Sequence, residues 1–108
     1  MKIVFTDNVI RENDEKIILI GLIGILEALK SGGLSIDEAE KLLFSPHIVT
    51  KLRMKKCNEK IIDILERGCE LEDLASLMPN ELLKAIDELK KMALELMKNY
   101  VSLTFWFE

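Results

Sequence analysis

Reactive side chains are scarce in this chain, which has one histidine, His47, and two cysteines, Cys57 and Cys69. A lone histidine with no nucleophile close by in sequence makes no acid–base pair, so His47 reads as a surface or capping residue rather than a catalytic one. The cysteines match no paired-thiol or zinc-ligand spacing, and they are expected as free, small apolar residues in a reducing compartment. Only Cys57, beside Lys55 and Lys56, has any charge that would favour a thiolate. No phosphate-cradling glycine loop or nucleophile elbow is present, and Ser31-Gly32-Gly33 is better explained as a helix stop. The longest apolar run, Ile17 to Leu26, is bounded by Lys16 and Glu27 and falls well short of the ~20 residues of a spanning helix. The start of the sequence lacks the apolar core and cleavage site of a signal peptide. The expectation is a cytoplasmic protein off the membrane, not an enzyme, with no cofactor and no metal.

What is present is enough for one packed domain over residues 1–108. Of the residues 49% are hydrophobic and 31% charged, a balance that excludes both a disordered tail and a loop-rich disulfide scaffold. The formal net charge of -4 argues against a dedicated nucleic-acid binder.

The pattern predicts a short strand at Ile3 to Thr6 and then a run of helices. The first spans about Glu15 to Lys30, capped by Asn13 or Asp14, and is apolar nearly all round, so cover on more than one side is expected. Gly21 and Gly24, three apart on it, imply close approach of a neighbouring backbone. Ser35 and Glu38 form a capping-box pattern for a helix to about Leu43, and Ser45-Pro46 opens another to about Lys56. Asn58 caps Glu59 to Arg67, with Gly68 as its stop, and Leu71 to Leu77 is a further short helix. Asn80 caps the clearest amphipathic helix, Glu81 to about Asn99. Four of the aromatics, Tyr100, Phe105, Trp106 and Phe107, fall at the end, where Val101 to Phe107 reads as a strand. Val101, Leu103, Phe105 and Phe107 share its core-facing row; Ser102, Thr104, Trp106 and Glu108 share the other. The predicted class is α+β, predominantly helical, with five or six helices and a small sheet formed by the N- and C-terminal strands.

Two surfaces are candidates for binding. An exposed edge of such a sheet is a ready pairing site, so a protein partner or a second copy of the chain could dock there, with Trp106 and Thr104 on the wetter face. The acidic stretch containing Glu70, Glu72 and Asp73 would add charge, steering a basic partner. Glu66, Glu70 and Asp73 also have a spacing that could hold a hard cation on a continuous helix, but a solvated acidic corner is the simpler reading. The alternative is a helix-turn-helix over Leu34 to Leu52, whose basic helix from Thr50 to Lys60 presents Lys51, Arg53, Lys55 and Lys56 to a DNA groove. The turn Leu43-Phe44-Ser45 lacks the usual glycine, and binding of nucleic acid is the less favoured reading.

The segments Leu34 to Phe44 with Ser45-Pro46, Cys57 to Ile62, Gly68 to Asp73 and Ser76 to Pro79 resemble a family of short bacterial proteins, about 110 residues long, with no established function. The resemblance implies no chemistry. In general character, small acidic proteins of this kind are similar to immunity proteins that bind and block a toxin, which is analogy alone.

Overall fold

The computed structural model describes residues 10–100. These form six α-helices, α1 (Glu12–Ser31), α2 (Ile36–Leu42), α3 (Pro46–Met54), α4 (Glu59–Cys69), α5 (Leu71–Leu77) and α6 (Leu82–Met97), with a 3-10 turn at Pro79–Glu81 before the last. No strand occurs among the described residues, so the expected α+β class is corrected to an all-helical fold. The physical reason lies in the core: the helices bury one continuous apolar cluster, from Ile10 through Leu96, and need no sheet to cover it. The segments Ile3 to Thr6 and Val101 to Phe107 lie outside the described residues, as do Thr104 and Trp106.

The main contact joins the first helix to the last. Lys30 pairs with Asp87 at 3.0 Å and Glu27 with Lys90 at 2.6 Å, so α1 and α6 run antiparallel. The Lys90 ammonium holds the Glu27 carboxyl below its usual range, and Glu27 in turn raises Lys90. Beneath these pairs α1 buries Ile18, Leu19, Leu22, Ile25 and Leu26, and α6 buries Ile86, Leu89, Ala93 and Leu96. Both sets recur at helical spacing. The cover over α1 is incomplete, however: Ile20 is exposed, and a Cβ added at Gly24 would meet nothing. The close approach expected at Gly24 is absent.

Local signals set most of the helix ends. At Ser35 the hydroxyl accepts from the Glu38 N–H at 3.1 Å while Glu38 accepts from the Ser35 N–H at 3.0 Å, a complete capping box. Ser45 caps α3 by accepting from Ile48, with Pro46 in the first turn. Gly32 ends α1 at φ 85°, where Gly33 donates to the Ala28 carbonyl at 2.8 Å. Two expectations fail. The cap of α1 is Arg11, whose backbone N–H donates to Asp14, and no side chain caps α6, because Asn80 sits inside the 3-10 turn.

Gly68 departs from expectation as well. It does not stop α4, which continues to Cys69; it is buried inside the helix against the ring of Phe44. A Cβ at this position would stand 2.6 Å from Phe44 Cδ1, so the glycine makes room for an aromatic ring. Phe44 itself comes from the α2–α3 turn, where it and Leu43 are buried.

Candidate functional site: the α5–α6 groove

A groove of about 470 Å³ lies between α5 and α6. Its floor is made by Leu71, Leu74, Ala85, Leu89 and Met92, of which Leu71 and Leu89 are buried and the others half-buried. These positions follow from helical spacing: Leu71 and Leu74 lie on one face of α5, and Ala85, Leu89 and Met92 on the facing side of α6. The chain turns between the two helices at Met78 and Pro79, and that turn leaves Leu77 80% and Met78 55% exposed at one end of the groove. Two large apolar side chains thus stand in water beside an apolar floor.

The rim is acidic. Glu70 and Asp73 stand on one wall and Glu88 on the other, and Glu81 lies by the lip with Met78 and Lys84. Among the described residues none of these four carboxylates is paired with a cation, whereas Asp37, Asp63, Glu66 and Asp87 are paired with Lys41, Arg67, Arg53 and Lys30. Of the two cations nearby, Arg67 is held by Asp63 at 3.2 Å, and Lys84 stands at the lip beside Glu81 and Glu88. With four carboxylates against two cations, the groove carries an excess of negative charge around an apolar floor.

The residues singled out from sequence are distributed unevenly over this surface. Glu70 and Asp73 line the groove, while Glu72 turns toward α2. There a hydrogen bond shared with Glu72 holds the Glu40 carboxyl above the usual carboxylate range, with burial and the Glu72 charge adding to it. Glu66 is taken by Arg53, and no metal-binding group of side chains occurs among the described residues. The basic helix from Thr50 to Lys60 does not exist as one element. α3 ends at Met54, Lys56 adopts a left-handed φ of 61°, and α4 starts afresh at Glu59 after Asn58 caps it by accepting from the Lys60 N–H at 2.9 Å. Lys51 and Arg53 therefore stand on α3, and Lys55 and Lys56 in the turn, so the four cations do not form one recognition face.

That turn carries a polar knot instead. Tyr100 donates to Glu15 at 3.1 Å, Asn58 donates its side-chain amide to the Tyr100 oxygen at 3.2 Å, and the Asn58 backbone N–H donates to Glu15 at 2.6 Å. Nearby Ile10 donates its N–H to the Lys55 carbonyl. Burial pushes the Cys57 thiol up to about 12, and the Glu15 carboxylate adds to this. The neighbouring lysines do not make it reactive. Burial likewise pushes the Tyr100 phenol up to about 12. Cys69 is raised too, by burial first and then by Glu40, Glu66 and Glu70.

Sequence reasoning missed Leu77, Met78, Ala85, Glu88, Leu89 and Met92 as parts of one site. A signal existed in Leu77-Met78-Pro79, where adjacent large apolar residues meet a helix-ending proline and cannot both turn inward.

No helix among the described residues is long and apolar enough to cross a membrane. No curated protein and no solved structure is significantly similar to the chain. Residues 10–106 match the protein family described as "Protein of unknown function (DUF3969)", and the chain belongs to that family.

Proposed function

We propose that this member of a family without an assigned activity is a non-enzymatic protein-interaction module that binds its partner through the α5–α6 groove. The observation that carries the reading is the exposure of Leu77 and Met78 beside an apolar floor built for contact. Two further facts support it. Both thiols are shifted away from the nucleophilic thiolate, and the single histidine stands exposed on the first turn of α3.

The test is a photo-crosslinking residue at position 77 in the full chain, compared with one at exposed Lys41 on α2. A discrete adduct formed from position 77 alone, and lost on Met78→Asp, is the expected result. Equal labelling from both positions, or none, would overturn the reading. Within this function, toxin neutralisation is the version in which the partner is a basic toxin. It predicts that co-expression rescues cells from a toxin encoded beside the gene, and failure of that rescue removes it.

A further inference from the structure

Resting on that reading, we infer that the occupant of the groove is a basic amphipathic helix of another protein, with its apolar stripe on Leu71, Leu74, Ala85, Leu89 and Met92 and its lysines or arginines against Glu70, Asp73 and Glu88. The chemistry of the lining selects this occupant from the others. A small polar ligand needs a few convergent polar groups inside the cleft to orient it. Here the floor is hydrocarbon and thioether, and the polar groups stand only on the rim. Among the described residues no buried side-chain nitrogen or oxygen lacks a partner, so none waits for a ligand. An extended peptide that adds to a sheet needs a strand edge, and the groove walls are two helices. A helix laid between them can bury apolar residues at spacings of three and four and leave its flanks for the rims.

Charge settles which kind of helix fits. Glu70, Asp73, Glu81 and Glu88 make no ion pair among the described residues, the rim's Arg67 is committed to Asp63, and Lys84 at the lip leaves the four carboxylates in excess. A partner with basic flanks gains attraction on both sides, whereas an acidic helix or a phosphate backbone meets repulsion. The same argument disfavours a second copy seated face to face, since each would present the same carboxylates to the other. Met92 on the floor and Met78 at the lip are unbranched and polarisable, which lets one groove accept apolar side chains of different shape.

The test uses the full chain and three synthetic peptides of equal length and composition class. The first has leucines at helical spacing with lysine flanks, the second exchanges the lysines for glutamates, and the third scrambles the lysine peptide so that the stripe is broken. Binding is followed by fluorescence anisotropy and located by amide shift changes. The expected result is saturable binding of the lysine peptide alone, centred on Leu74, Leu77, Ala85 and Leu89. It should weaken at least tenfold in the Glu70→Lys, Glu88→Lys double variant, whose exposed substitutions leave the core intact. Equal binding of the lysine and glutamate peptides, equal binding of the scrambled peptide, no binding of the lysine peptide, or shifts centred elsewhere would each overturn the inference. If a discrete adduct still forms from position 77 after such a failure, only the basic helical occupant is removed. If no adduct forms either, the protein-interaction reading falls with it.

Discussion

One missing methyl group at Gly68 fixes how two parts of the core meet. Alanine is the better helix former by about 1 kcal/mol, yet at Gly68 its Cβ would enter the Phe44 ring. Gly68→Ala is therefore expected to destabilise by about 1–3 kcal/mol through overpacking. Gly24→Ala, on an open helix surface, is expected to stabilise by up to about 1 kcal/mol. Urea midpoints check both, and opposite signs from the same substitution are the point of the comparison. A Phe44→Leu change in the Gly68→Ala background should recover part of the loss, because the two positions share one space. The titration of Cys57 and Tyr100 is also a residue-scale matter. Each holds its proton more tightly in the folded chain than at its ordinary value, 9.0 for the thiol and 10.0 for the phenol. Their contribution to stability is complete below about pH 9 and is lost as the pH rises toward about 12. Urea unfolding across that window should show the decline, and Cys57→Ala should delay its onset to about pH 10, where the phenol begins to ionise in the unfolded chain.

Between elements, the join of α2 to α5 brings two carboxyls of like charge together. The Glu40 carboxyl is raised there, first by a hydrogen bond to Glu72 open only to the protonated form and then by burial and the Glu72 charge, so the folded state resists its ionisation. A carboxyl raised on folding favours the folded chain while it is protonated and loses that contribution as the pH rises through its folded value. Glu40→Gln should consequently raise the urea midpoint at pH 7, with the gain shrinking as the pH falls through the raised folded value and gone below about pH 4.5, where the ordinary carboxylate also protonates. The antiparallel α1–α6 join is of the opposite kind, with Lys30–Asp87 and Glu27–Lys90 placed over apolar residues. These partly exposed pairs set register more than they add stability, and the burial beneath them provides most of the adhesion.

For the molecule as a whole, α1 and α6 are each other's main partner among the described residues, so elements distant in sequence must meet before either is covered. A fragment ending at Pro79 leaves α1 without its main partner and is expected to lose the dispersed amide spectrum of the full chain. The helices themselves were largely legible in the sequence. Ser35 with Glu38, Ser45-Pro46, Asn58 and Gly32 each act through bonds within a few residues, and local patterns report local bonds. The helix limits at Gly68 and Asn80 were misread because a ring from the distant Phe44, and a 3-10 turn at Pro79, override propensities that would otherwise favour a stop and a cap. The expected sheet rested on two terminal segments that lie outside the described residues, while every element within them is helical. Of the candidate site, the acidic wall at Glu70 and Asp73 was visible as charge, but its opposite wall at Glu88 was not. A groove is a relation between two helices, and no spacing within either α5 or α6 states how they face.

The turn from Lys55 to Asn58 has a further consequence for motion. Ile10 is held by Lys55, and Tyr100 by Asn58 and Glu15, so one short segment fastens both limits of the described chain. It works as a buckle, and opening it releases the entry to α1 and the exit from α6 in a single event. Native-state hydrogen exchange should therefore give the Ile10 and Asn58 amides one common opening free energy. Glu15→Ala, which removes the carboxylate shared by Asn58 and Tyr100, should speed both together while the Leu89 amide in mid-α6 keeps its protection.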